Sequence, residues 1–307
     1  MSEIAVVGSL NMDLVVRVER MPRPGETVHG REFTTIPGGK GANQAAAAAR
    51  LGANVEMIGR VGEDAFGASI LENMRAQGVG TSHVTRDAEA ASGIAMIVVD
   101  RAGENAIVVA PGANGRVTMQ DVRAAQEVLA QTPYVIMQFE VPLHTVRETI
   151  ALASELGSRV ILNPAPAHAV SSDFFEGLYC LVVNETEAET FTGLTVKDVT
   201  SAEKAGHALQ EKGVPVVVIT LGADGALLLT DAHTVHVPAH KVDVVDTTAA
   251  GDAFVGGLAV GLLRGLDVVE AVRYATCAGT LATTVLGAQT SLPSADQVDA
   301  LYEEGAP

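Results

Sequence analysis

Apolar positions along the chain fall into two rhythms. Short, nearly continuous runs of β-branched residues and Leu stand at Ile4–Val7, Val55–Ile58, Tyr134–Met137, Val160–Leu162, Leu181–Val183 and Val216–Thr220. Runs this short, without polar alternation, predict strands covered on both faces. Between them lie stretches with helical spacing: Ala42–Leu51, ended by Gly52; Ala65–Ala76, with Gly78 beyond it; and Leu143–Leu156, ended by Gly157. Thr200 with Glu203 three residues on predicts a capping box for a helix that stops near Gly213, and Ser294 with Gln297 predicts another for the last helix. Strands alternating with helices predict an α/β fold, a mostly parallel sheet with helices on both faces.

Two stretches break this order. Leu14–Val18 and Val28–Ile36 flank the turn residues Pro22-Arg23-Pro24-Gly25, and Gly93–Val99 and Ala106–Val109 flank a short polar loop containing Gly103. The second pair predicts a β-hairpin. Together they predict either a small sheet projecting as a flap or ordinary edge strands of the main sheet. The pattern does not choose.

Composition narrows the partners. The chain has 307 residues, 48% of them hydrophobic, no Trp and a formal net charge of −17. That charge argues against a nucleic-acid partner, so an anionic ligand has to be held locally by backbone amides, a few basic groups or a metal. Two cysteines, Cys180 and Cys277, both in apolar surroundings, predict core thiols rather than a disulfide framework. The first residues run directly into a strand pattern with no signal-peptide layout. The longest apolar stretch, Ala253 to Leu263, is too short for a membrane span and is broken by glycines. A cytoplasmic protein is the expectation.

Several motifs are excluded. Gly39-Lys40-Gly41 is not a phosphate-binding P-loop, because Thr34 stands at the first Gly position and no Ser or Thr follows the Lys. Nor is it a dinucleotide fingerprint, because Gln44 occupies the third Gly position.

The segment Asp246-Thr247-Thr248-Ala249-Ala250-Gly251-Asp252 carries the sharpest chemistry. A predicted strand, Val242–Val245, leads into it and a long apolar helix follows. Open N–H groups and the helix dipole at such a turn form an anion hole over Ala249, Ala250, Gly251 and Asp252. Asp252, in the first turn, is placed to act as a general base. Taken alone it would read as a helix cap. Pro37-Gly38-Gly39-Lys40-Gly41-Ala42-Asn43 is a glycine-rich loop that opens a helix, with Lys40 and Asn43 one turn apart and able to meet a polyol. Asn11 and Asp13 follow the first strand and point the same way in an extended chain, or are turn formers. Asn184 and Glu187 follow another strand. They read as organisers of a hydrated Mg²⁺, or as helix capping with an acidic face. The turn Thr220-Leu221-Gly222-Ala223-Asp224-Gly225 could lie against a nucleotide.

In order, and over nearly the whole chain, these segments resemble the ribokinase family of sugar kinases. The resemblance rests on Gly38-Gly39-Lys40-Gly41-Ala42-Asn43 and on Asp246-Thr247-Thr248-Ala249-Ala250-Gly251-Asp252. It implies a doubly wound α/β fold, one kinase domain over 1–307 with a β-lid from about 14–36 and 93–109, and a homodimer formed through that lid. It implies ATP-dependent phosphorylation of D-ribose at its 5-hydroxyl, with ATP, Mg²⁺ and K⁺. The ribose pocket would comprise Asn11, Asp13, Gly39, Lys40, Asn43, Glu140 and Asp252. Nucleotide contacts would come from Asn184, Thr220, Gly222, Gly225, Gly251 and Thr276, with Glu187 placing Mg²⁺ through water. A monovalent-cation loop would use Asp246, Thr248, Ala282, Val285, Gly287 and Ser291, mostly through carbonyls. The chain departs from the family pattern at Ala249, where much of the wider family has Gly, and at Thr276, where many members have Asn near the adenine. A fructokinase, a nucleoside kinase or a sugar-binding sensor without catalysis are the alternatives.

Overall fold

The computed structural model describes residues 2–305. In chain order the strands are β1 (Ile4–Val7), β2 (Asn11–Val18), β3 (Gly30–Gly38), β4 (Val55–Gly62), β5 (Gly80–Asp87), β6 (Gly93–Val99), β7 (Asn105–Ala110), β8 (Tyr134–Gln138), β9 (Arg159–Asn163), β10 (Leu178–Asn184), β11 (Val216–Thr220), β12 (Ala226–Leu229) and β13 (Thr234–Val237). The helices are α1 (Lys40–Arg50), α2 (Ala65–Ala76), α3 (Met119–Ala124), α4 (Gln126–Gln131), α5 (Leu143–Glu155), α6 (Glu185–Thr192), α7 (Val199–Gln210), α8 (Ala250–Leu263), α9 (Val268–Ala282) and α10 (Ala295–Glu304).

Nine strands form the main sheet in the order β13-β12-β11-β10-β9-β8-β1-β4-β5. All neighbouring pairs from β11 to β5 are parallel; only the β11–β12 and β12–β13 pairs, at one edge, are antiparallel. From β1 the chain builds outward through β4 and β5, then returns to the other side of β1 with β8. Strand order therefore reverses at β1, and in such sheets ligands bind beyond the carboxyl ends of the strands at that point. Every residue of β1 is buried, as its apolar run requires.

The other four strands do not extend this sheet. β3-β2-β6-β7 form a separate sheet, which decides between flap and edge strands in favour of the flap. β2 pairs antiparallel with β3 and parallel with β6, and β6 pairs antiparallel with β7 as the hairpin pattern predicts. All six residues of β7 and most of β3 are exposed.

α8 is buried along nearly its whole length, from Asp252 to Leu262, as a helix apolar on every side must be. The glycines that break its apolar run let its neighbours approach. A Cβ on Gly256 would lie 2.7 Å from Ala47 Cβ of α1, and one on Gly257 2.9 Å from Ala278 Cβ of α9. This close packing holds the middle of α8 against α1 on one side and α9 on the other.

Three local expectations are corrected. Val242–Val245 is not a strand: the segment has no ladder partner, and Val244 and Val245 lie exposed. β-branched residues alone do not make a strand without a paired neighbour. Helix α7 is capped by Asp198, which accepts from Ser201 N, rather than by Thr200 with Glu203. Asn184 is the N-cap of α6 and so does not share a helix face with Glu187; the two cap each other, Glu187 N donating to Asn184 Oδ1 at 2.8 Å and Asn184 N to Glu187 Oε2 at 2.9 Å. The box at Ser294 and Gln297 forms as predicted.

Candidate active site

The glycine-rich loop closes around the β1–β2 connection because only glycine fits there. Gly39 has φ 92° and a Cβ would lie 2.8 Å from Asn11 N; a Cβ on Gly41 would lie 2.5 Å from Ser9 N. The loop thereby brings Lys40 and Asn43, at the start of α1, beside Asn11 and Asp13 at the start of β2. Glu140, just after β8, completes this side: its Oε2 accepts from Lys40 N at 3.1 Å and from Ser9 Oγ. Asn114 secures the corner, with Nδ2 donating to Asn11 Oδ1 at 2.7 Å and Oδ1 accepting from Leu10 N.

Asp252 sits in the first turn of α8, buried, facing this cluster. Asn43 Nδ2 donates to its Oδ2 at 2.9 Å and Gln44 Nε2 to its Oδ1 at 3.0 Å. Burial pushes its pKa up, against the Lys40 ammonium and the two amide donors. Asp13 is raised to about 7 by burial and by the charges of Glu140 and Asp252. Burial disfavours the charge on Lys40, but Asp252, Glu140 and Glu187 outweigh it and the ammonium is held above its usual range.

A cavity of about 220 Å³ lies between these groups and the strand ends, lined by Lys40, Asn163, Asn184, Glu187, Thr220 and Asp252, among others. A second cavity, of about 450 Å³, meets it along Thr220, Thr247 and Gly251. Its far walls include Gly222, Gly225, Phe254, Thr276 and Thr280. Gly225, φ 92°, is required there, since a Cβ would lie 2.1 Å from Val237 O. Thr276 Oγ1 donates to Val272 O at 2.8 Å, which leaves its oxygen able to accept only.

Backbone at the head of α8 carries the anion hole in a narrower form than expected. Ala249 has φ 60°, a left-handed conformation that favours glycine. Ala250 N–H is spent in the turn, donating to Thr247 O at 3.2 Å, so that amide is not free. The N–H groups of Gly251 and Asp252 find no acceptor among the described residues. A Cβ on Gly251 would meet nothing within 4 Å, so the cavity begins at its backbone.

The sites expected for metals also have a geometry. Glu187 is buried, and burial raises its pKa against the Asn184 hydrogen bond and Lys40. One of its carboxylate oxygens is used in capping and the other has no partner among the described residues. Asp246 accepts from Thr248 N and Oγ1 through Oδ1, and from Gly287 N at 2.8 Å through Oδ2. Though burial opposes it, these bonds hold Asp246 below the usual carboxylate range. The carbonyls of Thr248, Ala282, Val285 and Gly287 receive no hydrogen bond among the described residues, while Ser291 Oγ is spent on Ala288 O. Among the described residues there is no group of three or more His, Cys, Asp or Glu side chains that could hold a metal ion by themselves.

The family model described as "pfkB family carbohydrate kinase" matches residues 1–295. The chain belongs to the pfkB family of carbohydrate kinases. The kinase is 39% identical over 291 residues to a ribokinase of Haemophilus influenzae, covering 95% of each chain. It is 38% identical over 302 residues to a deoxyribokinase of Salmonella typhi, covering 96% of this chain and 97% of that one. Its fold matches that of an Arabidopsis thaliana ribokinase complexed with ribose and ATP, with a TM-score of 0.91 at 30% identity over 99% of both chains. The small sheet of the kinase is the lid of this fold.

Sequence reasoning missed Gln44, Gln138, Asn163 and Gln289, all tied to the Asp252 region, and Ser9, Asn114 and Thr247. Gln44 was in view within the glycine-rich segment but served only to exclude another motif. Its amide reads as an ordinary polar helix residue until the fold buries it. Thr247 lies inside the anion-hole segment, and its neighbours with sharper chemistry drew the assignment.

Proposed function

We propose that this kinase transfers the γ-phosphoryl group of ATP to the 5-hydroxyl of D-ribose. The observation that carries the reading is the position of Asp252. Its carboxylate stands at the junction of a hydroxyl-binding cluster and a two-chambered cavity, one residue after the open amide of Gly251.

Asn11, Asp13, Lys40, Asn43 and Glu140 orient the sugar, offering amide, ammonium and carboxylate partners to its hydroxyls. Asp252 accepts the proton of the primary hydroxyl as that oxygen attacks phosphorus. The N–H groups of Gly251 and Asp252, at the positive end of α8, stabilise charge on the transferring group. Triphosphate lies along Thr220, Thr247 and Gly251, and the nucleoside occupies the larger chamber beside Gly225, Phe254 and Thr276. Glu187 and Asn184 fit a hydrated Mg²⁺, which supplies charge neutralisation across the phosphates. The carbonyls of Thr248, Ala282, Val285 and Gly287 with the Asp246 carboxylate fit a weakly hydrated K⁺. The chain works as one kinase unit, its lid closing over the sugar to exclude water. The exposed apolar side chains of the lid, Phe33, Ile107 and Val108 among them, support a homodimer formed through it.

2-Deoxyribose is the second reading, favoured by the likeness to a deoxyribokinase. Coupled ADP release over ribose, 2-deoxyribose, fructose, adenosine and inosine with Mg-ATP tests both. Ribose should give the highest kcat/KM; a higher value for 2-deoxyribose selects the second reading, and a higher value for adenosine rejects both.

A further inference from the structure

The two amides on Asp252 are themselves held. Gln44 Oε1 accepts from Gln138 Nε2 at 2.6 Å, and Gln44 Nε2 also reaches Asn163 Oδ1 at 3.1 Å. On the other side Asn43 Oδ1 accepts from Gln289 Nε2 at 3.2 Å, and Gln289 Oε1 accepts from Asn73 Nδ2. Gln44, Gln138, Asn43 and Gln289 are all buried.

The direction of each link fixes the next. Turning the Gln44 amide over would set its oxygen against the Asp252 carboxylate and Asn163 Oδ1, and its NH₂ against the NH₂ of Gln138, replacing three attractive contacts by three repulsive ones. Both strings therefore end with N–H groups on Asp252. At the far end of one string lies an unsatisfied atom: Gln138 Oε1 is buried with no partner. Gly8 leaves just enough room for it, since a Cβ there would lie 2.0 Å away. A buried orphan acceptor destabilises a fold; what Gln138 supplies against it is the single donor that meets Gln44 Oε1.

We propose that Gln44, held in one orientation by Gln138, is a positioning residue for the phosphoryl transfer: it fixes which lone pair of Asp252 faces the sugar hydroxyl and keeps that carboxylate anionic. The proposal rests on Asp252 being the base. An amide donor suits the task because it stabilises the anion without itself exchanging protons. The charged groups facing Asp252 are Lys40 from α1, Glu140 after β8, Asp13 from β2 and Glu187 from α6, and only Lys40 favours the anion. Loss of the Gln44 donor leaves burial and three carboxylates opposed by less.

The test is the pH profile of kcat with saturating D-ribose and Mg-ATP, together with thermal melting, for Gln44→Met and Gln138→Met. For Gln44→Met the acid limb should move to higher pH by about 1 unit, the value of one hydrogen bond to a charged group. For Gln138→Met it should move the same way by less; the orphan Gln138 Oε1 is removed but Gln44 Oε1 loses its donor, so one buried acceptor is exchanged for another and Tm should change little. Since Asp13 is also pushed up, to about 7, the Gln44→Met shift must persist on an Asp13→Asn background. A profile superimposable on wild type for Gln138→Met, whatever its Tm, would mean a structural role and overturn the proposal. So would a Gln44→Met loss that is equal at every pH. If Gln44→Met does not fold, Gln138→Met decides. An inactive Asp252→Asn beside unshifted glutamine variants sinks this proposal alone, whereas an active Asp252→Asn sinks the base assignment as well.

Discussion

Asp246 and Gly287 are joined across 41 positions of sequence by a hydrogen bond of 2.8 Å, from Gly287 N to Asp246 Oδ2. The contact ties the turn that opens α8 to the loop that follows α9, two segments whose carbonyls at Thr248, Val285 and Gly287 receive no hydrogen bond among the described residues. If those carbonyls hold K⁺, its effect should fall on the anion-hole turn and therefore on catalysis. Activity in K⁺ should exceed that in Na⁺ at equal ionic strength, and Asp246→Ala should abolish the difference. Fixing ionic strength matters because a chain of net charge −17 responds to screening alone. Equal rates in K⁺, Na⁺ and a bulky organic cation would remove the ion from the reading.

Asp252→Asn should fold, since the amide needs no buried charge, but its NH₂ would meet one of the two amide donors that now face the carboxylate, so Tm should not rise. Its kcat should fall by roughly 10²–10⁴-fold, the range for loss of a general base. Retention of more than about a third of kcat by that variant, on the same scale, would take Asp252 out of the role.

Asp13 carries a linkage between pH and stability. Its folded pKa, about 7, lies above the ordinary carboxylate value of 3.8, so folding favours the protonated form. That contribution is fully present below pH about 4 and is lost as pH rises through about 7. Asp13→Asn should therefore melt at a higher temperature than wild type at pH 8 and at nearly the same temperature at pH 4. A melting difference that does not change between the two pH values would rule out burial strain on Asp13.

Ala249 holds φ 60° without being glycine. Ala249→Gly should stabilise the protein by about 1 kcal/mol in denaturant unfolding, because the left-handed Cβ penalty is relieved. Ala249→Val should destabilise it and reduce kcat, since the adjacent amides of Gly251 and Asp252 lose their direction. A neutral Ala249→Val would show that the turn is set by its neighbours alone.

The strands of the central sheet and the first long helices were legible because their apolar runs have to be covered on both faces or on one. The two early breaks in the pattern were legible as β structure, but whether they joined the main sheet was not. Only the pairing of β2 with both β3 and β6 placed them in a lid. The Val242–Val245 run misleads because strand propensity needs a paired neighbour, and among the described residues the run has none.

At the site, sequence by itself determined the residue types and their local turns: the glycines that permit the loop before α1, the small residues at the head of α8 and the carboxylate in its first turn. Those features act within a few residues, so they are written in sequence order. What only the tertiary structure decided is the direction of the Asp252 carboxylate. It is set by amides from Asn43 and Gln44, about 209 positions away, which are themselves set by Gln138 and Gln289. A glutamine carries no signal of orientation until burial takes its water away and leaves one hydrogen-bonding partner for each end.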